Sequence, residues 1–208
     1  MVKVIGLTGG IGTGKSTAAA YLKKKGFHHI DADEISRDIT ADGSGMLKEL
    51  DMVFGPEGKF GDGKTRILDD KGSLDRRALA SLVFTDRRKK AVLDKIMFRA
   101  IIKRIDEEIC KFRDINDEKV YILLDAPLLF EAGLDSRCDK IIVLVADEEV
   151  RIERVCRRDG VTAREVRDRI NSQMSDSEKI KKSDFVVDNS DGMEQLAENL
   201  DELLEIIF

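Results

Sequence analysis

The chain has 208 residues, of which 42% are hydrophobic and 37% charged, the balance of a globular protein with a heavily charged surface. This length fits one compact domain with smaller attachments and excludes two full-sized domains. Its net charge of -5 argues against general nucleic-acid binding, although a local basic patch could still hold phosphate groups.

The first 40 residues alternate between strand and helix patterns. Residues 3–7 form a short apolar run that ends at a glycine cluster, which predicts a buried parallel strand followed by a loop. Helices are predicted from 17 to 25 and from about 33 to 39, with a short strand over 27–31 between them. This alternation predicts a parallel sheet covered by helices.

The middle of the chain carries helical patterns without strands. Residues 43–54 are predicted to be helical, whereas 55–72 are rich in glycine, aspartate and lysine and predict an exposed loop or hairpin. From 74 to 112 apolar residues recur at spacings of three and four, which predicts two helices, the second of them long. An all-helical insert is therefore expected.

The remainder returns to the α/β pattern. Residues 120–125 and 140–145 are near-continuous apolar runs, as in central strands covered on both faces. A stretch dense in arginine and lysine follows over 150–182. Residues 185–189 then predict a last strand, and 194–207 predict a closing amphipathic helix.

Residues 9–16 match the pattern G-x4-G-K-[ST] of a P-loop, and they lie between a predicted strand and a predicted helix. The glycines let backbone N–H groups point at phosphate oxygens, and the helix N-terminus adds the positive end of its dipole. Lys15 is placed to reach the terminal phosphates, and Ser16 can bind Mg²⁺. The pattern indicates a nucleoside triphosphate without fixing the class of protein.

The class follows from what accompanies the P-loop. GTPases need D-x-x-G after a strand and N-K-x-D, but Asp125 is followed three places on by Leu128 and the chain has no N-K-x-D. Small-molecule kinases combine a short chain, a helical acceptor-binding insert and an arginine-rich lid that excludes water. This chain offers all three features.

The lid candidate runs from Arg154 to Arg169, with Gly160 as a possible hinge. The planar guanidinium can bind phosphate oxygens in two places, so a dense group of arginines suits a transferring phosphoryl group. For any single arginine, a solvated surface position is an equal alternative. The group consists of Arg154, Arg157, Arg158, Arg164, Arg167 and Arg169.

Acidic residues follow two predicted strands at the edge where open α/β sheets bind ligands: Asp31 and Asp33 after the second strand, and Asp125 after the third. Each could accept a proton from an attacking hydroxyl or hold magnesium through water. Helix capping is the alternative for Asp31 and Asp33. His28 and His29 are interpreted as ordinary strand-entry residues.

Several separated segments make the chain similar to the dephospho-coenzyme A (dephospho-CoA) kinase family along nearly its whole length. The D-x-P-L-L-F-E segment and the order of all the segments make this resemblance specific. The segments are 7–17, Asp31-Ala32-Asp33 with Arg37, 72–79 leading to Val83-Phe84, 125–131, 154–160, Arg169 with Gln173, Lys179, and 184–189.

The resemblance implies transfer of the ATP γ-phosphoryl group to the ribose 3′-hydroxyl of dephospho-CoA, with Mg²⁺, giving CoA and ADP. It implies Asp33 as the base for that hydroxyl, Lys15 and Arg158 as phosphate-binding catalytic residues, Ser16 as the metal ligand and Asn189 near adenine. The residues implied to bind the nucleotide are Gly10, Gly12, Thr13, Gly14, Lys15, Ser16, Thr17 and Asn189.

The fold prediction is an α/β P-loop domain of three layers with a parallel five-stranded sheet. It comprises a core, a helical acceptor-binding insert and an arginine-rich lid. The core spans about 1–40, 119–155 and 183–208, the insert about 41–118, and the lid about 156–182.

The sequence departs from the family pattern in three places. Phe98-Arg99 stands where relatives often carry His-Pro, Arg151 stands where they often carry glutamine, and 59–65 reads as extra loop length. These departures bear on acceptor binding. They leave open a P-loop kinase for another nucleotide or nucleoside and a nucleotide-binding regulatory module without turnover.

The three cysteines are widely spaced and lack the paired spacing of a zinc site, so free thiols in a reducing cytosol are expected. No apolar run approaches the length needed to span a bilayer. We therefore expect a cytoplasmic monomer or weak homo-oligomer with ATP and dephospho-CoA as its partners, and neither nucleic acid nor membrane.

Overall fold

The computed structural model describes residues 1–113 and 119–207. The predicted end of the insert at 118 and the last residue of the predicted core, 208, lie outside these residues. None of the helices in the described part of the chain combines the length and apolarity that a membrane crossing needs.

Five strands form one parallel sheet in the described residues. Their order across the sheet is β2-β3-β1-β4-β5, and every adjacent pair is parallel. The predicted parallel five-stranded sheet is thus confirmed. The strands are β1 (Val2–Gly9), β2 (His28–Asp31), β3 (Val120–Asp125), β4 (Lys140–Val145) and β5 (Phe185–Asp188).

The 3₁₀ helix Leu134–Arg137 lies between β3 and β4, and α-helices lie between the other successive strands. The predicted helices agree with the observed ones to within two residues at each end where both bounds were predicted. In chain order the helices are α1 (Lys15–Lys24), α2 (Ala32–Ile39), α3 (Gly45–Phe54), α4 (Arg76–Phe84), α5 (Arg87–Arg113), α6 (Glu148–Asp159), α7 (Ala163–Asn171), α8 (Asp176–Lys182) and α9 (Met193–Ile207).

The chain divides into two compact units, Met1–Asp31 with Glu108–Phe208, and Ala32–Glu107. The first unit holds the sheet. Its core packs α1 and α9 against the strands, and each fully buried leucine contributes roughly 1.5–3 kcal/mol of transfer free energy. Members of this core include Ile5, Leu7, Ala18, Leu22, Leu123, Ile142, Leu144, Leu196 and Leu200.

The second unit, Ala32–Glu107, contains helices and no strand among its described elements. Its own hydrophobic core consists of Leu50, Phe54, Ile67, Leu79, Leu82 and Val83. The predicted exposed loop over 55–72 is irregular, but it carries the fully buried Ile67 into this core. An isolated antiparallel bridge between Leu68 and Leu74 closes it.

Candidate active site

The P-loop links β1 to α1 in a conformation that requires glycine. Gly12 and Gly14 have φ of 83° and 88°, a region that residues with a Cβ rarely adopt. A Cβ on Gly12 would also lie 2.7 Å from the carbonyl oxygen of Arg151. On Gly14 it would overlap the side-chain amide of Asn189. The loop is therefore packed closely against the chain around it.

Two of the residues predicted to bind nucleotide hold the loop from inside. Thr13 is fully buried, and its hydroxyl donates to the carbonyl oxygen of Gly10 at 2.9 Å. The buried Asn189 donates from its side-chain amide to the carbonyl oxygen of Thr13 at 2.8 Å. Both side chains thus shape the backbone that would receive phosphate. Contact of Asn189 with adenine stays a prediction.

Lys15, in the first turn of α1, forms an ion pair with Asp125 at the end of β3. The two side chains are 16% and 5% exposed, so the pair is largely shielded from water. Asp125 also contacts His29, whose Nε2 lies 3.3 Å from Asp125 Oδ2, within hydrogen-bond distance. Sequence reasoning interpreted His29 as a strand-entry residue, but the structure brings it to the predicted strand-end acid.

Register explains the meeting of acidic residues from two strands. In the parallel pairing of β2 with β3, Asp31 lies directly beside Asp125. One ligand atom each of His29, Asp31 and Asp125 lies within 4.8 Å of the others. Ser16, the predicted magnesium ligand, is exposed in the first turn of α1. Asp33 is exposed in the first turn of α2, two residues beyond Asp31, and belongs to the second unit.

Ile11, at the tip of the P-loop, is held by both of its backbone polar groups. Its N–H donates to Gln173 Oε1 at 3.0 Å, and its carbonyl oxygen accepts from Arg151 Nε at 2.8 Å. Arg151 is 4% exposed and also donates from Nη1 to Asp176 Oδ2 at 2.6 Å. Sequence reasoning noted Arg151 only as a departure, yet it connects the P-loop to the start of α8.

The D-x-P-L-L-F-E segment accepts three partly buried hydrogen bonds after β3. The carbonyl oxygen of Pro127 accepts from the hydroxyl of Thr8 and from Nζ of Lys179, each at 3.4 Å. Lys179 is fully buried, and burial lowers the pKa of its ammonium group, while Glu131 and Asp176 oppose that shift. Glu131 accepts from the N–H of Met174 at 3.2 Å through Oε1.

The predicted lid arginines lie on α6 and α7 and are mostly paired with nearby carboxylates. Arg158 is bound to its neighbour Asp159, which holds the pKa of the Arg158 guanidinium above its ordinary value. Arg154 differs, because its Nη1 is buried and has no hydrogen-bond partner within 1–113 and 119–207. Gly160 ends α6 with φ of 67°, a conformation suited to glycine.

In the second unit, Arg99 forms an ion pair with Glu49 on α3. Arg99 therefore has a surface partner at one of the positions where the resemblance leads one to expect His-Pro. Thr40 directly follows α2, and its hydroxyl accepts a hydrogen bond from Arg76 Nη2 at 2.7 Å. These contacts stabilise the helical unit itself.

Comparison with known proteins gives a consistent result. A family model described as dephospho-CoA kinase matches residues 3–195. A dephospho-CoA kinase from Fusobacterium nucleatum is 37% identical over 206 residues, 99% of each chain. One from Corynebacterium glutamicum is 39% identical over 196 residues, 94% of this chain and 95% of that protein.

Solved structures are similar over the same length. A Thermus thermophilus protein superimposes with a TM-score of 0.78 at 32% identity, covering 99% of this chain and 98% of the other. The dephospho-CoA kinase from Campylobacter jejuni gives a TM-score of 0.72 at 26% identity, covering 100% and 98%. A shikimate kinase from Bacteroides thetaiotaomicron shares the fold at 16% identity, with a TM-score of 0.54 and coverage of 99% and 98%.

Proposed function

This chain belongs to the dephospho-CoA kinase family, and from this membership we propose that it phosphorylates the ribose 3′-hydroxyl of dephospho-CoA with ATP. The products are CoA and ADP, so the reaction is the last step of CoA biosynthesis. A bond forms between the 3′-oxygen and the γ-phosphorus, and the bond from that phosphorus to the β,γ-bridging oxygen breaks. The electron pair of the broken bond leaves with ADP.

The observation that carries the proposal is the Lys15–Asp125 ion pair beneath a glycine-shaped P-loop. Asp125 neutralises Lys15 in a shielded position. A triphosphate offers Lys15 a larger negative charge, and the loop N–H groups and the N-terminus of α1 favour the same anion. Binding of ATP is therefore expected to draw Lys15 from Asp125 to the phosphates.

The oxygen donors at this edge fit a magnesium ion. Ser16 offers an exposed hydroxyl, and Asp125 and Asp31 offer carboxylates, which are the donors that Mg²⁺ prefers. When bound, the ion neutralises charge on the phosphate oxygens. If Lys15 turned to the phosphates, the Asp125 oxygen that now pairs with Lys15 would become available to a water of a hydrated ion.

Asp33 is the proposed base, and it accepts the proton of the 3′-hydroxyl as the new bond forms. Its place after β2 follows the rule that open α/β sheets bind ligands beyond the carboxyl ends of their strands. An ordinary carboxylate suffices, because the proton leaves late in a loose transition state. We propose that the guanidinium groups of Arg158 and Arg154 in the lid donate hydrogen bonds to phosphate oxygens, Arg154 through its unsatisfied Nη1.

The proposed setting is the cytoplasm, where ATP and Mg²⁺ are abundant. All three cysteines are free, as expected in a reducing compartment. We propose a monomer or weak homo-oligomer whose partners are ATP and dephospho-CoA, with no role for nucleic acid or membrane. The core, the acceptor-binding insert and the lid over about 156–182 are the proposed working parts.

The test is an ADP-release assay with Mg-ATP that compares dephospho-CoA with AMP, adenosine, uridine and no acceptor, with product mass determined. We expect turnover with dephospho-CoA and a product heavier by one phosphate. Preference for another acceptor would overturn the substrate, and ATP binding without turnover on any acceptor would indicate the regulatory alternative. Lys15→Ala is expected to weaken both ATP binding and turnover.

A further inference from the structure

The side chains of His29, Asp31 and Asp125 form a compact group at the carboxyl end of the sheet. His29 and Asp31 are two residues apart on β2, so strand alternation places them on one face. Register then sets Asp125 beside Asp31 on the neighbouring strand. This grouping needs no loop to form, because two hydrogen-bonded strands fix it.

We infer that His29, Asp31 and Asp125 form a binding site for a first-row transition-metal dication such as Mn²⁺, Co²⁺ or Zn²⁺. One imidazole nitrogen and two carboxylate oxygens make a donor set suited to these ions. This site shares the carboxylates of Asp31 and Asp125 with the oxygen donors proposed for magnesium. Because Mg²⁺ prefers oxygen ligands, the His29 nitrogen is what favours a transition-metal ion here. Neither the family match nor the relatives' names assign it.

The geometry is close to what one ion needs. Ligand atoms about 2.1 Å from a metal lie at most about 4.2 Å apart when they face each other across it. One ligand atom from each side chain already lies within 4.8 Å of the others, and His29 Nε2 is 3.3 Å from Asp125 Oδ2. Small side-chain rotations are enough to complete the site.

Burial also favours a held ion over a loosely attracted one. The side chains of His29 and Asp125 are 16% and 5% exposed, so few waters compete for them. Lys15 is the competitor, because its ammonium group is paired with the same Asp125 carboxylate. A dication carries twice the charge of Lys15 and can replace it. Removal of the Lys15 charge should therefore tighten metal binding.

The test is a titration of the untagged protein with Co²⁺ alone, followed by calorimetry and visible absorption. We expect one Co²⁺ per chain and at least a tenfold loss of affinity in His29→Asn. The matched control is His28→Asn. His28 is the neighbouring strand residue and the other of the chain's two histidines. It is exposed, and its ring lies 4.6 Å from the Phe112 ring, centroid to centroid, in a tilted arrangement. This control should bind Co²⁺ as the unaltered chain does.

Further measurements keep the inference falsifiable if a variant folds poorly. In the unaltered chain, diamagnetic Zn²⁺ should shift the imidazole resonances of His29 and leave those of His28 in place. Lys15→Met should bind Co²⁺ more tightly. Absence of Co²⁺ binding, equal affinity in His29→Asn, or a thiolate-to-cobalt absorption band from the cysteines would each overturn the site.

An effect on turnover would rest on the proposed function. The ion would occupy Asp125 beside Lys15, so micromolar Co²⁺ should inhibit Mg²⁺-dependent phosphorylation in the unaltered chain more than in His29→Asn. The Co²⁺ titration involves no turnover. A chain that binds Co²⁺ through His29 but fails to phosphorylate dephospho-CoA would retain the metal site and lose the proposed function.

Discussion

At the scale of single residues, the side chains at the P-loop divide into those that shape the loop and those proposed to face a ligand. Thr13 and Asn189 donate hydrogen bonds to loop carbonyl oxygens, whereas Ser16 is exposed and Lys15 is paired with Asp125. Removal of a shaping residue should weaken nucleotide binding through the backbone. Removal of a ligand-facing residue should act on the chemistry directly.

Asp33→Asn is expected to keep ATP affinity while turnover falls by roughly 10²–10⁴-fold, because the amide cannot accept the proton of the 3′-hydroxyl. Calorimetry with ATP and the ADP-release assay measure the two effects separately. Glu34→Gln is the matched control, since it removes one negative charge from the same first turn of α2. Near-normal turnover in Asp33→Asn would exclude the base role.

Arg151→Met is expected to destabilise the protein and raise the KM for ATP. It leaves the Ile11 carbonyl and Asp176 without their donor. Because the Asp176 side chain is 30% exposed, water recovers part of the loss, and the cost should be about 2 kcal/mol. This corresponds to a fall in Tm of roughly 4–8 °C.

The control for that prediction lies on the same helix. Arg157 is 74% exposed and pairs with Glu153 one turn away, so Arg157→Met should change Tm by little. If both substitutions lowered Tm equally, the contacts of Arg151 with the P-loop would contribute no more to stability than an exposed ion pair does. If Arg151→Met lowered Tm but left the KM for ATP unchanged, Arg151 would stabilise the fold without positioning the P-loop for ATP.

The sequence names Lys15 and Ser16 as candidates to face a ligand, but it does not reveal the contacts that shape the loop, and the reason is distance along the chain. Lys15 and Ser16 belong to one short motif with a known mechanism. Arg151 meets Ile11 across 140 positions and Asn189 meets Thr13 across 176, so no local spacing indicates either contact. The contact of His29 with Asp125 is hidden for the same reason, because the two residues lie on different strands.

At the scale of elements, the join between α6 and α7 depends on one glycine and one capping box. Gly160 ends α6 with φ of 67° and ψ of 23°. Thr162 then caps α7, and its hydroxyl accepts from the N–H of Glu165 while the Glu165 carboxylate accepts from the N–H of Thr162. The proposed lid therefore turns through a defined corner.

Gly160→Ala is expected to lower the free energy of unfolding by about 1 kcal/mol, because a Cβ is disfavoured at positive φ. No atom lies within 4 Å of that Cβ, so the cost is one of backbone conformation alone. Gly160→Asn should cost less, since asparagine tolerates this region. Denaturant unfolding of both variants measures the difference, and equal costs would contradict a backbone cause.

Periodicity predicted the elements well wherever one face is apolar. The predicted start of α1, residue 17, is two residues later than the observed start at Lys15. Lys15 and Ser16 belong to the P-loop motif and were therefore assigned to the loop, whereas Gly14 is the N-cap of the helix. The loop over 55–72 was predicted to be exposed on composition. The burial of Ile67 depends on the core of α3 and α4, which composition does not show.

At the scale of the whole molecule, each of the two units has its own hydrophobic core. The core of the first unit includes Ile5 and Leu123 on the sheet. The core of the second surrounds Phe54, with the helices of Ala32–Glu107. The sequence predicted a helical insert within an α/β chain but not the boundary between the two compact units. That boundary falls between Glu107 and Glu108 within α5, where the helical pattern continues without a break.

Phe54→Ala should therefore act first on Ala32–Glu107. Phe54 is fully buried in the core of that unit, and truncation to alanine should cost about 3–5 kcal/mol through lost burial and the cavity that remains. Phe84→Ala is the matched control, because Phe84 lies in the same unit and is 72% exposed. It should change stability by no more than about 0.5 kcal/mol.

Amide hydrogen exchange measures whether each hydrophobic core stabilises its own unit independently. In Phe54→Ala, exchange should accelerate over 32–107 more than in β1 and α9, whose core does not contain Phe54. ATP affinity should then persist while the KM for dephospho-CoA rises, since the P-loop lies in the first unit. Uniform acceleration across the described residues would instead show that the chain unfolds as a single cooperative body.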